Sequence, residues 1–353
     1  MKRVETFFSS IGVASLFLVL TLILCHFAIL LWGMYKSSQH PLTSYQASAY
    51  KHLSDNQIDD LLAWTWNPGF VFEPWLGFRE KARTSAYVNV SNLGTRFNDL
   101  NENPDDRTEG AVWFFGGSTT FGYGVADRET IPAQLARHIR QPVVNFGRAN
   151  YYSAQENFLL SWLLMSGYKP SAVVFLDGIN ERCDIEFYQT EFARLFDKAQ
   201  TYHWDPTEVF KPFFSIARRL ENRFGIRRTG YSFSNQCVRR GKKVPLSSIV
   251  AANLSERRDV CRRYAVKCLV FVQPFAGVHG VHQDYVMLPP ADRNAHRDKF
   301  NYLSSTWKDF DAIFVVDALR PLHEHAFVDG NHYSVVASEL VARAIAVHLQ
   351  EQN

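Results

Sequence analysis

The run Ala111–Gly124, AVWFFGGSTTFGYG, constrains the fold more than any other stretch of the chain. Ala111 to Phe115 has no polar face, so a strand here must be covered on both sides, as a central strand of a parallel sheet is. Gly116 and Gly117 then permit a sharp turn and the close approach of another backbone or a ligand. Ser118 follows, at the carboxyl end of the strand, where open α/β sheets place their ligands. Taken alone, the stretch is equally a plain strand-to-helix turn, and the spacing of later residues gives it meaning.

Downstream, strands alternate with helices, the pattern of a parallel α/β sheet. The spacing predicts a helix over 130–140, capped by Thr130 with Pro132 in its first turn, and a strand over 142–146 closed by Gly147. A helix over 153–167 follows, with Ser153 as cap, a Glu three residues on and a Gly stop. A third strand, 172–176, leads into Asp177-Gly178-Ile179-Asn180. Then come a helix over 246–264, a strand over 268–272, a helix over 292–309, a strand over 312–316 and a closing helix over 335–350. Upstream, 37–60 reads as a polar linker entering a short helix near 56–64, and 67–98 as a small β-rich lead-in with turn chemistry at Asn92-Leu93-Gly94.

Residues 183–245 form an insertion too long for a plain loop and without clear periodicity, which suggests a lid or substrate-contacting subdomain. Within its stretch 218–243, Arg218, Arg219, Arg223, Arg227, Arg228, Arg239, Arg240, Lys242 and Lys243 face a single acid, Glu221. They read either as a solvated face or as a surface for anionic glycans or lipid headgroups.

At the amino terminus, Ile11 to Met34 runs without Asp, Glu, Lys or Arg. A bilayer span takes about 20 residues, whereas a cleavable secretory signal has a shorter apolar core. The expectation is an uncleaved single-pass anchor in a cell inner membrane, Lys2 and Arg3 inside and the large domain on the periplasmic or extracytoplasmic side, with Trp32 and Tyr35 at the interface. Cys25 and His26 lie within this run. With a net charge of +3 and no recognisable nucleic-acid motif, nucleic acid is excluded as a partner. The five cysteines include no C-x-x-C pair. Cys183 and Cys237, outside regular elements, are the expected disulfide if the domain is exported, while Cys261 and Cys268 are expected as small buried thiols.

Four positions fall at strand ends or just before the last helix: Ser118, Gly147, Asn180 and His332. In a parallel sheet they share one edge. Each suits a role in acyl transfer: Ser118 as nucleophile, His332 as its base, and Asp329, three residues earlier, as the group that fixes the imidazole tautomer. The backbone N–H groups of Ser118 and Gly147 and the Asn180 amide are the expected donors to the oxyanion. Gln273-Pro274, ending a strand on the same edge, is a candidate pocket lining. No cofactor is implied. His323-Glu324-His325 lacks a further ligand set, so no metal is assigned, and neither a P-loop nor a G-x-S-x-G elbow is present.

The order Ser in GGSTTFG, Gly in NFGRAN, Asn in DGINE and Asp-x-x-His before a closing helix resembles the SGNH, or GDSL, hydrolase superfamily, over about residues 111–349. That resemblance implies a flavodoxin-like three-layer α/β fold with a five-stranded parallel sheet of order 2-1-3-4-5. It also implies a Ser118, Asp329, His332 catalytic set with Ser118, Gly147 and Asn180 as oxyanion donors. Two departures stand out: Gly117 replaces the aspartate of G-D-S, and Glu181 replaces that of G-x-N-D. The chain thus divides into an anchor (1–36), a linker and lead-in (37–110) and a hydrolase-like domain (111–353). The expected activity is that of a serine esterase or acyltransferase on O-acyl, most simply O-acetyl, groups of a cell-surface glycan, with membrane-bound polysaccharide assembly components as possible partners. The alternatives are lipid esters or thioesters, or a non-catalytic glycan-binding or assembly component that keeps the fold.

Overall fold

A computed structural model describes residues 13–29, 31, 49–65, 69–98, 103–183, 233–239, 241–279, 288 and 290–351. The chain divides into two units, one of residues 1–42 with 202–229 and the other of 43–201 with 230–353. In the first, residues 13–29 are helical, and most of their large apolar side chains are exposed. No helix among the described residues is long and apolar enough to cross a membrane. The apolar run that suggested an anchor lies partly outside them.

In the second unit, α1 (Asp55–Thr65) precedes an antiparallel hairpin of β1 (Phe70–Glu73) and β2 (Gly77–Glu80). The main sheet takes β3 (Val112–Gly116), β4 (Val143–Asn145), β5 (Ala172–Asp177), β8 (Cys268–Val272) and β9 (Ile313–Phe314). All its pairings are parallel, in the order β4-β3-β5-β8-β9. Numbered along this sheet, that order is the expected 2-1-3-4-5, with β3 at the point where the connections diverge.

Alternation along β3 explains its uniformly apolar sequence. Val112 and Phe114 face α3 (Ile131–Ile139) and α7 (Val335–Glu351), in a core with Leu135, Val341 and Ile345. Trp113 and Phe115 face α4 (Ser153–Met165) and the lead-in, in a core with Leu160, Leu163 and Phe78. Phe115 is fully buried, with Phe146 and Phe175 stacked on it at 5.2 Å each. Burying such a ring is worth about 1.5–3 kcal/mol, so the two faces together hold β3, and the turn that follows it, in place.

Thr130 caps α3 as expected, its Oγ1 accepting from the Ala133 N–H at 3.2 Å, with Pro132 in the first turn. Ser153 does not cap α4. Tyr152 is the capping position, and the Ser153 hydroxyl turns inward to Glu181 at 2.9 Å, because a buried carboxylate there needs the donor. The last strand is shorter than expected, two residues, since the chain passes at Val316 into a 3₁₀ turn.

Most of the insertion lies outside the described residues, as do Arg218 to Arg228 and Arg240. Its described end is a hairpin of β6 (Gln236–Arg239) and β7 (Lys242–Pro245) leading into α5 (Leu246–Arg263), and α6 (Pro290–Asp309) packs beside α5. Cys183 and Cys237 are bonded, with Cα atoms 5.3 Å apart. Cys261 and Cys268 form a second disulfide, contrary to the expectation of buried thiols. Ala265, at φ 51°, reverses the chain between α5 and β8 and brings their Cα atoms to 6.1 Å.

Candidate active site

Ser118 opens the four-residue helix α2 (Ser118–Phe121) directly after β3. Gly117, in the cap position, stands where the related pattern has aspartate. A Cβ there would collide with the Asn180 amide, which occupies that space in this chain. Thr119 donates to Gln273 Oε1 at 2.8 Å, and the Tyr333 hydroxyl donates to the Pro274 carbonyl at 2.5 Å. Gln273 is therefore buried behind the serine turn and locks it.

Asp329 and His332 lie in a loop closed by pairing of Phe327 with Tyr333 and by the Val328 N–H on the His332 carbonyl at 2.8 Å. Asp329 Oδ1 accepts from the backbone N–H groups of Asn331 and His332, both at 2.7 Å. Its other oxygen meets His332 Nδ1 at 2.6 Å, and His332 Nε2 meets Ser118 Oγ at 2.8 Å. Burial works against the Asp329 carboxylate. The charge of His332 and the three hydrogen bonds outweigh that and hold its carboxyl below the ordinary value. The Tyr123 ring lies against the imidazole, centroids 5.5 Å apart and planes 29° apart. The structure thus brings Ser118, His332 and Asp329 into one hydrogen-bonded line across more than two hundred residues.

Backbone donors in the turn after β4 can be accounted for one by one. The Gly147 N–H donates to Asn145 Oδ1 at 3.0 Å, Arg148 N–H to the Gly116 carbonyl at 3.0 Å, Ala149 N–H to Glu80 Oε1 at 2.7 Å, and Tyr151 N–H to the Arg148 carbonyl at 3.3 Å. Gly147 therefore does not offer its N–H to a ligand. It is glycine because a Cβ would collide with the backbone of Thr120 and Phe121. Asn150 is exposed, in the left-handed region at φ 59°, and its N–H has no partner among the described residues. It is the candidate donor of this turn, where Gly147 was expected. Asn180 uses one amide hydrogen on the Tyr151 carbonyl at 2.9 Å, which holds the side chain beside Gly117 and leaves its second hydrogen for a substrate. The Ser118 N–H likewise has no partner among the described residues.

Behind this edge lies a buried group of charges. Arg257 stacks over Phe175 at 3.7 Å and pairs with Asp177 at 2.5 Å and Glu156 at 3.1 Å. Glu181, the other departure from the related pattern, accepts from the Ser153 N–H at 3.2 Å as well as from its hydroxyl. Burial, and then the charge of Asp177, pushes its carboxyl up to about 7. The buried Lys299 ammonium donates to the Ile179 carbonyl at 2.9 Å, and burial pulls it down to about 7. These groups fix the Gly178–Glu181 loop from below and so set the direction of Asn180.

Sequence reasoning missed Tyr123, Asn150 and the locking role of Gln273, because stacking and the partners of a backbone N–H leave no mark in spacing. A left-handed Asn after a strand is a recognisable turn signal, and Asn150 could have been read that way. Among the described residues no group of three His, Cys, Asp or Glu side chains could hold a metal ion.

No protein-family model and no curated protein matches the chain. Among solved structures, a carbohydrate acetylesterase family member from Sinorhizobium meliloti is similar at 12 % identity and a TM-score of 0.39, covering 69 % of this chain and 98 % of that one. A putative lipolytic protein of the G-D-S-L family from Desulfitobacterium hafniense is similar at 13 % and 0.39, over 67 % and 98 %. The native M. smegmatis aryl esterase is similar at 13 % and 0.40, over 69 % and 99 %. At TM-scores below 0.5 these likenesses decide neither activity nor substrate.

Proposed function

We propose that this chain is a serine esterase or acyltransferase of the SGNH type, acting on O-acyl, most simply O-acetyl, groups of an extracytoplasmic glycan. The observation that carries the reading is the line from Ser118 Oγ through His332 to Asp329, at 2.8 and 2.6 Å. Ser118 attacks the ester carbonyl carbon while its proton passes to His332 Nε2. The imidazolium so formed is stabilised by Asp329, which keeps the other proton on Nδ1. Negative charge on the carbonyl oxygen is met by the N–H groups of Ser118 and Asn150 and the free Asn180 amide hydrogen. The bond to the alcohol breaks, that oxygen takes the proton from His332, and an acyl-Ser118 remains. Water or a sugar hydroxyl then attacks it, giving up a proton to His332, which returns it to Ser118 Oγ.

Two disulfides favour an oxidising compartment, and the apolar run 11–34 favours tethering at a membrane. Sugar O-acyl groups outside the membrane are esters that a tethered domain of this kind would reach. A fluorophosphonate probe should label the full chain and leave Ser118→Ala unlabelled; labelling that survives in Ser118→Ala removes the nucleophile. Incubation with acetylated oligosaccharides, following acetate against newly acetylated sugar, separates hydrolysis from transfer.

A further inference from the structure

One side chain of the lead-in hairpin reaches both the turn after β4 and the ring against His332. Glu80, the last residue of β2, is buried at 2 % exposure. Its Oε1 accepts from the Ala149 N–H at 2.7 Å and from the Tyr123 hydroxyl at 3.3 Å. Ala149 immediately precedes Asn150, whose N–H has no partner among the described residues, and Tyr123 is the ring against which His332 lies. We propose that Glu80 is a positioning residue: by holding Ala149 and Tyr123 on one oxygen, it sets the oxyanion-side turn and the base relative to each other. This rests on the serine-nucleophile reading above.

Three features support the assignment. The same hairpin grips the same turn elsewhere: the Tyr151 hydroxyl donates to the Phe78 carbonyl at 2.7 Å, and Arg148 pairs with Glu73. Glu80 therefore sits in a rigid frame, which a positioning group requires. Second, Oε2 has no hydrogen-bond partner among the described residues, so Oε1 alone joins the two walls. Third, burial pushes the carboxyl up toward its neutral form, which a glutamine imitates, against the opposing pull of the Ala149 N–H and Arg148. Both contacts are made by donors to Oε1, so an acceptor oxygen at that reach is what the site needs from this residue.

That distinction gives the test, on the full chain, with p-nitrophenyl acetate turnover and the rate of fluorophosphonate labelling as readouts. Glu80→Gln keeps an acceptor oxygen at the same reach and should retain kcat within about threefold. Glu80→Asp keeps the acid but is one methylene shorter, and should lose roughly ten- to a hundredfold in kcat with little change in KM, the scale expected of an ångström's misplacement. Glu80→Ala should match or exceed the Asp loss. If it does not fold, the Gln and Asp pair still decides. Wild-type turnover in Glu80→Asp, or a loss in Gln that equals or exceeds that in Asp, overturns the positioning role. Should Ser118→Ala still be labelled, the nucleophile reading falls and Glu80's role with it. If Ser118→Ala is silent while Glu80→Asp labels at the wild-type rate, only the Glu80 inference falls.

Discussion

Replacing Asp329 by Asn exchanges one oxygen for an NH₂ group, and the surrounding bonds dictate which one. Oδ1 accepts two backbone N–H groups at 2.7 Å, so the amide oxygen of Asn must stay there and its NH₂ must point at His332 Nδ1. Nδ1 then has to accept, the ring proton moves to Nε2, and Nε2 can no longer take the proton of Ser118. A wrong tautomer in an otherwise intact site costs about 10⁴ in turnover. Asp329→Ala has no such enforcement: of the three hydrogen bonds it loses, only the charge-assisted one to His332 Nδ1 bears on the base directly, about 1.5–3 kcal/mol, or roughly ten- to a hundredfold at ~1.4 kcal/mol per decade. The conservative Asn variant should therefore be the worse of the two by about a hundredfold or more, on the same two principles. Initial rates on p-nitrophenyl acetate, normalised to folded protein by circular dichroism, measure this directly. An Asn variant as active as the Ala variant, or more so, would refute the argument that Asp329 acts through the tautomer of His332.

Asn180→Ala should lower kcat roughly a hundred- to a thousandfold, the usual loss for one oxyanion donor, with a small change in melting temperature; a large thermal shift with activity per folded molecule kept would make Asn180 a turn residue only. Lys299 has a folded pKa of about 7, below that of free lysine, so above pH 7 the folded state binds fewer protons than the unfolded chain and stability rises with pH. Melting temperature should accordingly climb between pH 7 and about 9.5, and Lys299→Met should flatten that climb; equal slopes would assign it to another group. Removing the Cys183–Cys237 link, which closes a loop with a sequence separation of 54, should cost about 4 kcal/mol by the chain-entropy relation, and denaturant unfolding of the double Cys→Ala variant measures it. Protease added to spheroplasts should digest the large domain while the residues before the apolar run stay protected, and full protection of the domain would reverse the proposed orientation.

Much of the architecture follows from residue order alone. Apolar runs at 111–115, 172–176 and 268–272, separated by helices, require a parallel sheet covered on both faces, and any such sheet gathers Ser118, Asn180 and the segment before the last helix at one edge. Asp329 and His332 are three residues apart, so their pairing is local. These features depend on periodicity and short separation, which sequence carries directly. What tertiary structure alone decided concerns which atom faces which. Gly147 and Asn150 are three residues apart in one turn, and only the partners of each N–H show that the first is occupied and the second has none among the described residues. Cys261 and Cys268 bond because a left-handed Ala265 folds the chain back, and Ser153 faces Glu181 because a buried carboxylate outcompetes a helix cap for its hydroxyl. Glu80 joins the site through contacts to residues 43 and 69 positions away. A hydrogen bond depends on fractions of an ångström and on a direction, and neither is encoded in the spacing of residue types.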